Sequence, residues 1–102
     1  DFALQALSPL LKSVQKIQKT SNPYLKIGGI LFTMYDTRTK LSHEIVQEVT
    51  SYFKDKVFRT IIPRNVRLSE APSHGKPIVL YDPLCSGAKS YEELAEEVIK
   101  RV

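Results

Sequence analysis

Ser69 and His74, with Asp36 or Asp82 as a third member, supply the residue types of a nucleophile–base–acid triad. No strained nucleophile turn surrounds Ser69, and most chains of this size hold these types by chance, so triad hydrolysis is set aside. A phosphate-binding loop needs Gly-x-x-x-x-Gly-Lys-Ser/Thr, in which backbone amides and the lysine hold phosphates and the hydroxyl binds magnesium. The nearest match is Gly75-Lys76, but Pro77 stands where the hydroxyl belongs and Glu70 where the upstream glycine belongs. Cys85 is the single cysteine, which allows no internal disulfide and no cysteine metal cluster and suits a reducing cytoplasm. His43 reads as a solvated residue at a helix start, and His74, beside Gly75, as a turn residue.

The remaining candidates are cationic. Arg38 and Lys40 follow one apolar run, and Arg64 and Arg67 follow another. Residues 1–80 carry twelve Lys or Arg against six Asp or Glu, whereas residues 81–102 carry three against five, so the formal charge of +4 is concentrated in the first part. Such a bias steers a protein toward phosphate or serves only solubility. No run of about 18 apolar residues exists to span a membrane.

The elements that must position these groups follow from periodicity. Leu4, Leu7, Leu11, Val14 and Ile17 recur at helical spacing, with Ser8 and Pro9 suited to a cap and first helical position. The polar run from Lys19 to Pro23 ends that helix. Ile27–Met34 is a short apolar run that reads as a buried strand, with Gly28-Gly29 inside it to permit close packing. Leu41, Ile45, Val49 and Phe53 form a helical stripe, with Ser42 as its cap. Val57–Ile62 reads as a second strand, stopped by Pro63.

Strand, helix and strand in this order is the βαβ pattern of an α/β protein with a parallel sheet. Residues 64–77 read as mostly loop with room for one helical turn, and Ile78–Tyr81 as a short apolar stretch. The chain closes on an amphipathic helix whose apolar face is Tyr91, Leu94, Ala95, Val98, Ile99 and Val102, starting either at the capping-box spacing of Ser90 and Glu93 or nearer Gly87. In open α/β sheets ligands bind beyond the carboxyl ends of the strands. The turns at Met34–Lys40 and Pro63–Arg67 lie at that end. Two strands are too few for a parallel sheet, which is ordinarily covered on both faces, so residues 1–102 are expected to be part of a larger sheet.

The run from Gly29 through Ile30-Leu31-Phe32-Thr33-Met34-Tyr35-Asp36-Thr37-Arg38-Thr39-Lys40 resembles the ParA/Soj family of chromosome- and plasmid-partitioning ATPases. So does the run from Thr60 through Ile-Pro-Arg-Asn to His74-Gly75-Lys76-Pro77, and so does the tail at Tyr81-Asp82-Pro83, Ser86-Gly87-Ala88, Tyr91 and Leu94-Ala95. The chain departs from the family pattern at Gln5-Ala6, Pro9 and Leu84-Cys85-Ser86. The resemblance implies the C-terminal part of a single parallel-sheet P-loop domain with a deviant Walker A loop, that loop and the magnesium carboxylates lying outside these residues. It implies ATP and Mg2+ as cofactors of the longer protein, an ATP-dependent homodimer, non-specific DNA binding, a ParB-type partner and a nucleoid-associated place in the cytoplasm. Residues 1–102 alone are not expected to hydrolyse ATP.

By the same resemblance, adenine lies against Met34 and Pro63-Arg64-Asn65, and Arg38 and Arg67 serve DNA binding. A MinD-like positioning ATPase is the alternative. It calls for a basic, bulky amphipathic C-terminal helix for lipid, whereas this last helix carries Glu92, Glu93, Glu96 and Glu97, so no membrane partner is expected. A non-catalytic interaction module is the other alternative.

Overall fold

Two parallel strands organise the chain in the computed structural model, which describes residues 2–102. Strand β1 (Ile30–Tyr35) pairs with β2 (Val57–Pro63), with Ile30 opposite Val57, Phe32 opposite Ile61 and Tyr35 opposite Pro63. The register shifts twice along the pair. β1 starts three residues later than its apolar run, leaving Gly28 and Gly29 ahead of the strand. Gly29 still serves close packing, because a Cβ there would lie 2.5 Å from the Phe58 ring.

Parallel strands need a crossover rather than a tight turn, and helix α2 (Lys40–Phe53) makes it. Its cap is Thr39, not Ser42. The Thr39 hydroxyl accepts from the Ser42 backbone N–H at 3.2 Å, because the helix starts earlier than the apolar stripe suggests. Val49 is buried, but Leu41 at the first turn is exposed. A 3-10 turn at Lys54–Lys56 joins α2 to β2, with Lys54 in the left-handed region.

Helix α1 (Phe2–Thr20) packs on α2 and corrects the expected start at Ser8-Pro9. The helix runs through Pro9, although proline removes a backbone donor and costs about 3 kcal/mol in a helix interior. Half-buried Leu4, Leu7, Leu11 and Val14 lie on both sides of Pro9, so packing holds the two halves in line. The Leu4 N–H, an orphan donor of the first turn, donates to Glu48 Oε1 of α2 at 3.2 Å. Ile17, the last member of the expected stripe, is exposed.

After β2 the expected loop is largely helical. Helix α3 (Val66–Glu70) is capped by Asn65, a 3-10 turn covers Ala71–His74, and Gly75 ends it at φ +62°. Ile78–Tyr81 forms one helical turn, α4. Ala71, Ile78 and Ala88 make a small core, packed by Leu68, Tyr81 and Cys85.

Helix α5 (Ser86–Arg101) takes the earlier of the two expected starts, beside Gly87 and four residues before Ser90. Its cap is Cys85, whose Sγ accepts from the Ala88 N–H at 3.3 Å. The buried face also differs from the expected stripe: Gly87 and Ala88 are buried and Leu94 half-buried, while Ile99 and Val102 face solvent. Glu97 turns inward instead. Its carboxylate accepts from the backbone N–H groups of Arg59 at 2.7 Å and Thr60 at 2.9 Å, and from the Thr60 hydroxyl at 2.7 Å. Arg101 donates to the Val57 carbonyl at 2.9 Å and lies 4.3 Å over the Phe58 ring. Two charged side chains thus take up polar backbone groups of β2 that would otherwise lie unpaired. Among the described residues no helix is long and apolar enough to cross a membrane.

Candidate functional site

The pairing of Tyr35 with Pro63 sets the carboxyl ends of both strands side by side, and the Arg64 N–H donates to the Tyr35 carbonyl at 2.9 Å. A cleft of about 520 Å³ opens there. Met34, Pro63, Arg64 and Asn65, the four residues nominated for the base, all line it, together with Thr33, Ile62, Leu68, Ser69 and Tyr91. Met34 adopts φ +54° and its side chain is 76 % exposed. A left-handed conformation costs a non-glycine residue roughly 1–2 kcal/mol. Such strain gathers at sites where a side chain must be aimed at a ligand.

Asn65 is committed within the protein. Its Oδ1 accepts from the Leu68 N–H at 3.3 Å, and its Nδ2 donates to Ser86 Oγ at 2.8 Å. The side chain therefore ties the end of β2 to the starts of α3 and α5. What Asn65 offers the cleft is chiefly its backbone and the placement of its neighbours.

Arg38 and Arg67 lie outside the cleft lining, and both are paired. Arg38 grips Asp36 with two parallel bonds, Nε to Oδ1 and Nη2 to Oδ2, each 2.9 Å, and its backbone N–H donates to Oδ1 at 3.0 Å. The guanidinium bond holds the Asp36 carboxyl at about 2, below its ordinary 3.8, helped by the backbone bond and by the charge of nearby Arg64. Arg67 pairs with Glu70 at 3.1 Å and Asp82 at 3.2 Å, and the Glu70 bond raises its pKa. Both arginines remain in reach of solvent, with side chains 80 % and 54 % exposed. Exposed pairs such as Arg67–Glu70 contribute little, whereas the two-pronged Arg38–Asp36 pair, with Asp36 17 % exposed, is the firmer kind.

The two histidines are locally bonded. His43 Nδ1 lies 2.6 Å from the Tyr35 hydroxyl and Nε2 3.3 Å from the Thr37 carbonyl, so the ring braces the turn after β1. The carbonyl needs a donor, which places the proton on Nε2. His74 Nδ1 meets the Glu70 carbonyl at 3.2 Å and its ring lies against Tyr81, so it forms no base for Ser69.

Residues 5–78 match the family described as the CobQ/CobB/MinD/ParA nucleotide binding domain. The chain belongs to this family. It is 63 % identical over 100 residues to the chromosome-partitioning ATPase Soj of Treponema pallidum, covering 98 % of this chain and 40 % of that protein. It is 58 % identical over 97 residues to the sporulation initiation inhibitor protein Soj of Bacillus subtilis, covering 95 % and 38 %. It is 48 % identical over 100 residues to the chromosome partitioning protein ParA of Caulobacter vibrioides, covering 98 % and 38 %. The chain thus spans about two fifths of the length of the curated relatives it matches.

The matched family is described as a nucleotide binding domain. The cleft at the strands' carboxyl ends has a largely apolar lining of Met34, Ile62, Pro63, Leu68 and Tyr91, with Arg64 beside it. Gly75-Lys76 cannot cradle the phosphates, because Gly75 sits in the turn after Ala71–His74 and its N–H is spent on the Pro72 carbonyl. Among the described residues no three His, Cys, Asp or Glu side chains are grouped to hold a metal. Sequence reasoning missed Thr33, Ile62, Leu68, Ser69 and Tyr91 as cleft residues. Tyr91 in particular carried no local signal, because its helical phase reads equally well as core.

Proposed function

We propose that residues 1–102 form the C-terminal part of a Soj/ParA-type ATPase of chromosome partitioning and supply the base-holding rim of its ATP site. One observation carries this reading: Met34 and the run Pro63-Arg64-Asn65, 29 positions further on, converge on one cleft at the strands' carboxyl ends. Family membership and the high identity to Soj and ParA proteins support it.

In this reading ATP supplies the transferable phosphoryl group, and a phosphate-binding loop elsewhere in the longer protein holds the phosphates and Mg2+. The residues described here bind and orient. Met34 and Pro63 offer apolar contact to the base, and Arg64 offers positive charge at the rim. Phosphoryl transfer depends on positioning and charge stabilisation more than on covalent chemistry, so a rim that fixes the base fixes the phosphates at its other end. The longer protein dimerises on ATP, binds DNA without sequence preference through Arg38 and Arg67, and answers to a ParB-type partner.

Nucleotide binding to the longer protein, the one joining these residues to a phosphate-binding loop, tests the site. Met34→Asp puts a charge into the base contact and is expected to weaken ATP binding by about tenfold or more, leaving circular dichroism unchanged. Unchanged ATP affinity in that variant sinks the assignment of the cleft.

A further inference from the structure

Tyr91 is the one aromatic side chain among the described residues that line the cleft. It comes from α5, far in sequence from the turns that form the rest of the rim. The residue is 37 % exposed, and its hydroxyl makes no hydrogen bond among the described residues. A half-open aromatic face beside Met34 and Pro63 is suited to the face of a base, since base–aromatic contact needs no particular edge pattern.

The start of α5 is held firmly enough to aim this ring. Ser86 Oγ takes the Asn65 amide at 2.8 Å, the Cys85 sulfur caps the Ala88 N–H, and Ala88 is fully buried. Gly87 lies so close to Leu68 that a Cβ would fall 2.6 Å from its Cγ. Tyr91 follows Gly87 by four residues, so both sit on the same side of the helix. The surface that packs α5 on Leu68 therefore continues directly into the cleft wall.

We propose that Tyr91 is a base-contacting, specificity-determining residue of the cleft, and that Asn65 is a positioning residue acting through Ser86. The proposal rests on the reading of the cleft as a base site. The ring stacks on the base and favours a purine over a pyrimidine, because the larger base covers more of its face. The Asn65 side chain sets where the ring stands and does not itself read the base.

The test measures binding of ATP, CTP and inorganic triphosphate to the longer protein and its Tyr91→Ala, Tyr91→Phe and Asn65→Ala variants. Tyr91→Ala is expected to weaken ATP binding about tenfold, to lower the ATP-to-CTP affinity ratio and to leave triphosphate affinity unaltered. Tyr91→Phe is expected to restore the ratio, and Asn65→Ala to reduce it with no loss of helical signal. An unchanged ratio in Tyr91→Ala, in a protein that still binds ATP, overturns the proposal while leaving the cleft reading in place. A wild-type protein that binds triphosphate but prefers ATP to neither CTP nor triphosphate overturns both. Equal loss of ATP and triphosphate in Tyr91→Ala marks a general structural role and also overturns the proposal.

Discussion

Glu97 and Thr60 are joined twice: one carboxylate oxygen accepts the Thr60 backbone N–H at 2.9 Å and its hydroxyl at 2.7 Å. The other oxygen takes the Arg59 N–H at 2.7 Å. A helix side chain thus completes the hydrogen bonding of a strand 37 residues away, and Thr60 can stay buried as a consequence.

This arrangement has a pH signature. The Arg59 N–H is the largest of several bonds that bring the Glu97 carboxyl to about 2 from its ordinary 4.5. A folded pKa below the unfolded one means the stabilisation is fully present above about 4.5 and is lost as pH falls through about 2. Glu97→Gln keeps one acceptor but turns an amide N–H toward a backbone donor. Its melting temperature is expected to drop by several degrees at neutral pH and to vary less between pH 4.5 and 2 than in the wild type. Some slope persists in the variant, since Asp36 titrates over a similar range. Thermal melts across acid pH check this, and parallel wild-type and variant curves count against it.

Gly29 offers a packing test. Gly29→Ala places a methyl 2.5 Å from the Phe58 ring, and overpacking of this kind costs about 1–3 kcal/mol. Denaturant titration should show that loss, and Phe58→Leu in the same chain should recover much of it. A neutral Gly29→Ala shows that the ring moves aside freely.

The arginine pairs sharpen the expectation for DNA. Arg38→Ala and Arg67→Ala in the longer, ATP-bound protein should weaken DNA binding evenly across sequences, each lost phosphate contact flattening the salt dependence by roughly 0.9. In the proposed DNA contact, Asp36 would compete with phosphate for Arg38, so Asp36→Asn should strengthen binding where Arg38→Ala weakens it. If fluorescence anisotropy finds the salt slope unmoved in the Arg38/Arg67 double variant, these arginines serve only their carboxylate partners.

Residues 1–102 alone are expected to show no magnesium-dependent ATP turnover, because the proposed base rim comes with no phosphate cradle among the described residues. Turnover that follows this chain through successive purification steps is the contrary result.

Much of the framework was legible locally. Apolar runs at Ile30–Met34 and Val57–Ile62 and the stripe at Ile45 and Val49 required a strand–helix–strand unit, because periodicity and turn residues act within a few positions. Parallel pairing then placed Met34, Pro63, Arg64 and Asn65 at one end of the sheet, which strand order alone implies. The sequence motifs also determined the family.

The tertiary structure decided what depended on distant partners. Pro9 sits inside α1 because packing on α2 outweighs its local cost. Asn65 became a cap because the chain after β2 coils into α3 where mostly loop was expected, and Cys85 became one because α5 starts at Ser86, ahead of Ser90. Glu97 faces inward while Ile99 and Val102 face water. Hydrophobicity favours the opposite, but the unpaired N–H groups of Arg59 and Thr60 needed an acceptor. A helix's apolar pattern records only its own residues, whereas the orientation it finally takes is set by the polar groups of the strand it must cover.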